Sequence, residues 1–520
     1  MIAVAAVHPF ARALAEGGPQ RVSASTPVSA SAKLLTLSRN RSDPASESCL
    51  RTQPRGSVSA SAAGSSSIPL GSVTVEEGAV VTSSSRRPLR SALRCRSPPL
   101  SAEGEGVYDA LVMSQPSSRR ALGVAFLTDS TSFPGGLADS MRLRLLARAL
   151  VEQGAEANVF CVRAIDRPPA VENARAKGTW NGVSFEYTPG SSIRPSSFAM
   201  RRWLELRGWA VAAIRLIQSR RQGRLDCVFT ACPSDELTFG RELGLAFGRL
   251  VRRPVFIQLN ERPWTTKARP RRLERWLSPL WGVQGVVSIS QYLSDWTRSE
   301  RERLGQHVVL VEIPIVVDVG EQGTSEYPNG APSVLFAGSP VYDATIDFIL
   351  TAMKTVWEEH PACRLTITGV NPERPQSAWL MERLRDGELD LRVDVVGYLS
   401  RDDLLAAYSR SHALLIPLFD DVRSKARFPT KLGEYLASGR PVVTTSVGEV
   451  RRFMSDGVDA YITPPDDPVA YGQRICDVLS DCSAASQVGR AGRQLAETRF
   501  HYSIHGPALV EAIETACAGR

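Results

Sequence analysis

From Arg120 onward, short apolar runs alternate with longer stretches in which apolar residues recur at helical spacing. "ALGVAFLTD" is the first run, and "MRLRLLARALVEQG" follows it with Leu and Ala at helical intervals before stopping at Gly154. "EANVFCV", "LDCVFTAC", "PVFIQLN" and "GVVSISQ" are further runs of the same kind. Continuous apolar runs of this length suit strands buried on both faces, as in a parallel sheet. Their alternation with helices predicts a doubly wound α/β domain over residues 119–319. The Gly/Pro-rich stretch "GEQGTSEYPNGAPS", residues 320–333, reads as a linker. A second series then runs through "VLFAG", "RLTITG", "LRVDVVG", "ALLIPL", "PVVTT" and "AYITP", with helices between them. It predicts a second Rossmann-like domain over 334–505, followed by a C-terminal helix over 506–520.

Residues 1–118 lack either periodicity. Runs such as "SVSASAAGSSS" and "SSSRRPLRSALRCRSPP" cannot bury enough apolar surface to offset ordering entropy, so this extension is expected to be disordered. Two readings stand. One is a transit-type leader, Ser- and Arg-rich and acid-poor. The other, which is favoured, is a start assigned too early, the true one lying near Met113, just before the first strand.

With 520 residues, 43% of them hydrophobic, there is material for more than one core. The nine cysteines are scattered without a C-x-x-C pair and the histidines number only six, so no metal site is expected. An odd cysteine count suits a reducing, cytoplasmic setting. No run of 18 apolar residues is present to span a membrane. The net charge of +8 is dispersed rather than gathered on a basic face, which argues against nucleic acid as a partner.

The most informative segment is "RFPTKLGEYLASGRPVVTTSVGEVRRFMSDGVDAYITPPDDPVA", residues 427–469. Pro429 and Thr430 suit a helix start, with Thr430 as cap, and Gly439 suits its end. The free N–H groups of that start, together with Lys431, make a good seat for a diphosphate. Glu434, one turn further in, could accept hydrogen bonds from a ribose diol. On these residues alone, a surface helix with an incidental acid and lysine is an equal reading.

The segment as a whole resembles the donor-site signature of glycosyltransferase family 4, retaining enzymes of the GT-B fold. "EYLASGRPVV" carries Glu434, Gly439, Pro441, Val442 and Val443, while "VGEVRRFMSDG" carries Gly448, Glu449, Asp456 and Gly457. The resemblance extends over about 390 residues. It implies two Rossmann-like domains facing a cleft, and transfer of a sugar from a UDP- or GDP-linked donor to a glycan, lipid or small-molecule acceptor. Retention of anomeric configuration, with no cofactor and no metal, goes with it. It assigns the ribose to Glu434 and the diphosphate and sugar to the backbone around Phe428, Pro429, Thr430 and Lys431. Gly135 and Gly136 of "FPGG" correspond to the glycine loop across the cleft. Glu261, after "QLN", and Lys431 are the residues placed at the reaction. The chain also departs from the pattern. Where the family has a first glutamate, eight positions before Glu434, stands Ala426, and Asp420, Asp421 or Arg423 are candidates to fill that space. Ser339 and Tyr342 stand where basic phosphate ligands are usual, with Lys431, Arg423 or Lys425 as compensation. A catalytically degenerate nucleotide-sugar-binding relative is therefore the alternative. A nicotinamide oxidoreductase is disfavoured, since no G-x-G-x-x-G follows the first strand.

Two segments, 200–224 and 267–282, mix Arg with Trp and Leu at helical spacing. Either Trp and Leu form core beneath solvated arginines, or the face rests on anionic lipid at the inner side of a membrane.

Overall fold

Near-continuous apolar runs do become parallel strands. The computed structural model describes residues 120–519 apart from 137, 168–172, 174, 232–238, 262–277, 279, 324–325 and 340–341. All of them belong to one unit, Gly106–Arg520. The extension predicted over 1–118 lies outside the described residues, as does most of the basic segment 267–282.

The first sheet comprises β1 (Gly123–Thr128), β2 (Glu156–Cys161), β3 (Lys177–Trp180), β4 (Val183–Tyr187), β5 (Cys227–Ala231), β6 (Val255–Leu259), β7 (Gly285–Ser288) and β8 (Val309–Glu312). Their spatial order is β3-β4-β2-β1-β5-β6-β7-β8, and only the β3–β4 pair is antiparallel. Helices α1 (Ala138–Glu152), α2 (Phe198–Arg221), α3 (Phe239–Val251) and α4 (Gln291–Leu304) connect them. The β3–β4 hairpin is absent from the sequence reading, because its strands are short and half polar. Its signal was Asn181-Gly182, both at positive φ (44° and 80°), the Asn-Gly turn that closes a tight hairpin.

The second sheet contains β9 (Ser333–Ala337), β10 (Arg364–Thr368), β11 (Val393–Val396), β12 (Ala413–Ile416), β13 (Val442–Thr445) and β14 (Tyr461–Thr463). Its order, β11-β10-β9-β12-β13-β14, is parallel throughout. Helices α5 (Asp343–Glu359), α6 (Ala378–Asp386), α7 (Arg401–Arg410), α8 (Val422–Ala426), α9 (Thr430–Ala437), α10 (Val450–Phe453), α11 (Pro468–Ser480), α12 (Cys482–Leu495) and α13 (Gly506–Ala518) complete the chain. Strand order reverses between β9 and β12 here, and between β1 and β5 in the first sheet. Open α/β sheets bind ligands in the crevice beyond the C-terminal strand ends at such a reversal.

Between the sheets the chain is packed rather than loose. Ile313, Ile315, Val316, Val317 and Val319 are buried. Within the stretch read as a linker, Gln322 is buried too and donates its Nε2 to the Glu434 carbonyl at 2.7 Å. The return crossing runs beside the outward one: Val317 N–H donates to the Phe500 carbonyl at 2.9 Å, and Tyr502 N–H to the Val317 carbonyl at 3.1 Å. Helix α13 then sets Leu509, Ile513 and Ala516 into the first sheet's core beside Val159 and Phe229.

Candidate functional site

At the C-terminal end of β1, the glycine loop is held from below. Phe133 is buried, and the Tyr187 hydroxyl both accepts the Phe133 N–H at 3.0 Å and donates to the Phe133 carbonyl at 3.2 Å. Burial pushes the Tyr187 phenol well above its usual range, which keeps it a donor. Ser132 donates to the Asp166 carboxylate. With Phe133 fixed, Gly135 and Gly136 face outward, half exposed. Gly136 has φ +125°, and a Cβ there would lie 2.2 Å from Ser140 Oγ, so this turn admits only glycine.

Across the cleft stands α9, opened by "FPTK". Pro429, not Thr430, occupies the cap position, and Thr430 is the first helical residue. Proline has no N–H to leave unpaired and its fixed φ enters a helix readily, which displaces the anticipated cap. The far end closes on Gly439 at φ +71°, with Arg493 donating to the Ala437 carbonyl at 2.6 Å.

Glu434 is 7% exposed and heavily partnered. Arg401 Nη1 donates to its Oε1 at 2.9 Å, and the Tyr408 hydroxyl to its Oε2 at 3.1 Å. Lys431 Nζ lies 3.6 Å from Oε2 and 3.2 Å from the Tyr408 hydroxyl. Burial alone would raise the Glu434 carboxyl, but Lys431 and Arg401 prevail and hold it below the usual range. Arg401 continues outward to Glu321 Oε2 at 2.8 Å; Arg144 of α1 meets Glu321 Oε1 at 2.9 Å and the Pro134 carbonyl at 3.3 Å. A chain of charge-assisted bonds thus runs from the glycine loop, through Arg144, Glu321 and Arg401, to Glu434.

The other predicted positions divide. The Phe428 side chain is core, stacked on Phe453 at 5.6 Å and set against Phe500, so only its backbone can face a ligand. Glu261 does not stand free in the cleft: its carboxylate pairs with Arg427, immediately before Phe428. Ala426 is 1% exposed, and its carbonyl accepts the Ser290 hydroxyl at 2.7 Å. A position so buried leaves no room for a glutamate without displacing its neighbours. Asp420 pairs with Lys425 at 2.6 Å, and Asp421 caps α8 through the Ser424 N–H. Arg423 is exposed at the rim. Ser339 follows β9 at the strand reversal, its carbonyl accepting the Tyr342 N–H at 3.0 Å. Gly448, at φ +55°, packs on the α8 backbone, where a Cβ would lie 3.2 Å from the Ser424 carbonyl oxygen. The next residue, Glu449, accepts the Gln291 N–H of α4 at 2.8 Å, an acid at a helix N-terminus joining the two domains.

Arg401, Tyr408, Glu321 and Arg144 were missed by the sequence reading. The stretch "RDDLLAAYSR" reads as an ordinary helix, and no spacing links positions so far apart in the chain. Among the described residues, Glu359, His360 and Cys476 bring ligand atoms within 4.8 Å of one another. That cluster lies at the N-terminal edge of the second sheet, away from the cleft. Burial pushes the Cys476 thiol up to about 12, so the thiolate that a metal needs is disfavoured. Asp421 and Asp467 act as helix caps. No helix among the described residues is long and apolar enough to cross a membrane.

Solved structures share this two-sheet arrangement. Sucrose-phosphate synthase from Thermosynechococcus elongatus aligns over 77% of this chain and 100% of its own, at TM-score 0.57 and 15% identity. The Anabaena protein HepE, solved in complex with UDP, aligns over 76% of this chain and 100% of its own at TM-score 0.51 and 14% identity. The fold is therefore GT-B. Residues 331–481, which hold α9, Arg401 and Tyr408, match the family of group 1 glycosyl transferases. The second domain thus carries the similarity to group 1 glycosyl transferases. The chain is similar to the glycogen synthase of Mycobacterium tuberculosis, 26% identical over 37% of this chain and 44% of that protein. The phosphatidyl-myo-inositol mannosyltransferase of Mycobacterium leprae is 25% identical over 45% of this chain and 59% of its own. In both cases the match spans less than two thirds of the relative's length.

Proposed function

We propose that the chain transfers a sugar from a nucleotide-sugar donor, UDP- or GDP-linked, to an acceptor hydroxyl, with Glu434 holding the ribose. The observation that carries this reading is the buried Glu434 carboxylate beside the N-terminus of α9, linked by ion pairs to the glycine loop opposite. A carboxylate kept charged by Lys431 and Arg401 is a strong acceptor, and two protein hydrogen bonds leave about half of its acceptor sites for a diol. The complex of HepE with UDP supports a uridine nucleotide as the first candidate.

In this reading the diphosphate rests on the backbone N–H groups at Thr430 and Lys431, with the Lys431 ammonium and the rim residue Arg423 neutralising its charge. Ser339 and the Gly135–Gly136 backbone approach from the other strand ends. The bond from C1 to the phosphate oxygen breaks as the acceptor oxygen bonds C1 on the same face, and the acceptor proton passes to the departing phosphate. Retention follows, with no protein nucleophile and no metal in the step. Glu261, fixed by Arg427, orients the acceptor side. The acceptor is a glycan, lipid-linked or small-molecule hydroxyl, and the setting is cytoplasmic.

Titration with UDP, GDP and UDP-glucose tests the reading, followed by donor hydrolysis in the wild type and in Glu434→Gln. Losing a charged acceptor should weaken nucleotide binding by about ten- to a hundredfold, roughly 1.5–3 kcal/mol. Unchanged affinity in Glu434→Gln would remove the carboxylate from the donor site. The second reading, a binding protein without turnover, is favoured by the buried Ala426 and the paired Glu261. Tight nucleotide binding with no hydrolysis or transfer on any acceptor tried would select it.

A further inference from the structure

Helix α2 carries two apolar stripes where a surface helix needs one. Gly208, Trp209, Ala212 and Leu216 are buried toward the first sheet. At Gly208 the approach is so close that a Cβ would lie 2.2 Å from the Val162 carbonyl oxygen. That stripe satisfies the helix. The opposite side repeats the spacing with Ala199, Trp203, Leu206, Ala210 and Ile214. Phe198 is 63%, Trp203 62%, Leu206 65% and Ile214 51% exposed, so no described residue covers this row. Between Ala199 and Ile214 it runs about 22 Å, at 1.5 Å per residue.

The charges around the row identify what meets it. Residues 194–221 hold seven arginines against one acid, Glu205. Glu205 is already engaged, with Arg202 at 2.7 Å and Arg163 at 3.3 Å. Arg167 foremost, then partial desolvation, Arg201 and Arg163, lower the Arg194 pKa, so positive charge gathers at this end of the helix. Packing of this face on a second copy of itself would set arginine against arginine. An anionic bilayer complements both features. Apolar side chains and tryptophan sink to the level of the acyl boundary, while guanidinium groups on either flank meet lipid phosphates. The long arginine stems reach outward without withdrawing the helix. Position agrees as well. Arg194 N–H donates to the Asp166 carbonyl at 2.8 Å, and Asp166 receives Ser132 of the glycine loop, so the row begins at the cleft end of the first sheet.

We propose that the outer face of α2, with Arg194 and Arg202 beside it, docks the protein on anionic lipid membranes. This surface stands apart from the donor reading and does not depend on it. The test is co-sedimentation of the full chain with vesicles of phosphatidylcholine alone, or of phosphatidylcholine mixed with phosphatidylglycerol, at low and high salt. Binding should require phosphatidylglycerol and fall with salt. Replacing Trp203 and Leu206 together by glutamate should reduce it at least tenfold, and Arg194→Gln with Arg202→Gln by roughly fivefold per arginine. Trp203→Phe should retain it. All these side chains are exposed, and circular dichroism verifies that each variant is folded. Absence of binding to anionic vesicles at low salt overturns the proposal, as does equal binding by the glutamate variant. A dimer by light scattering that the same substitutions dissolve, without vesicle binding, also overturns it and assigns the face to a second copy.

Discussion

Arg401 and Glu434 show how a buried charge is kept. Removing one partner of such a pair strands the other, which costs more than the pair contributes. Arg401→Ala should therefore destabilise the protein by about 2 kcal/mol, reduced from the fully buried case because the Arg401 side chain remains 29% exposed. Denaturant titration measures it. The sign with pH follows from the depressed Glu434 carboxyl. The wild-type contribution is complete above 4.5, the ordinary glutamate value, and is lost as pH falls below that through the lowered value. In Arg401→Ala that acid-side loss should shrink. His505 acts through burial first and Arg142 second, which lower its pKa from 6.5 to about 4. Its unfolded form binds a proton that its folded form refuses, so it contributes stability above pH 6.5 that fades toward pH 4. His505→Asn should flatten thermal stability across that window by about 1–3 kcal/mol.

At the scale of elements, small residues decide how closely layers meet. Helices α5 and α11 touch at Gly472, where a Cβ would lie 2.4 Å from the Ala352 carbonyl oxygen. Backbone cannot give way as a side-chain tip can, so Gly472→Ala should cost about 2 kcal/mol and shift the thermal transition downward. The sequence made α9 legible to within one residue, because proline, helix formers and a terminal glycine are local signals. Most strands were legible for the same reason, apolar content bounded by turn residues. What stayed hidden was β3 and β4, which are short and broken by polar residues, the four-residue β8, and Arg401 and Tyr408 as partners of Glu434. Position 434 names an acid, whereas the environment that keeps it ionised is assembled from residues 401, 408 and 431, with residue 321 bracing Arg401 in turn. The Phe428 side chain makes a related point, since motif position does not distinguish a side chain that faces the cleft from one that packs in the core beneath it.

Across the whole molecule, the domains are joined by polar bridges as well as by apolar packing. Glu261 pairs with Arg427, Glu312 with Arg452, and Glu449 with the α4 N-terminus. Charged contacts of this kind weaken in salt and can be exchanged. Arg427→Glu should enlarge the radius of gyration in small-angle scattering, and Glu261→Arg added to it should restore the wild-type value, with a coupling of about 1 kcal/mol. Absence of rescue would show that this pair does not hold the closed arrangement.

The return of α13 to the first sheet bears on the order in which the chain is completed during synthesis. Residues of the second domain are contiguous and leave the ribosome together, whereas the first sheet waits for Leu509 and Ile513 to cover its core. Domains usually mature in the order in which they emerge. Here the later one is equipped to finish first, and the earlier one remains open, with apolar surface uncovered, until the second has been made.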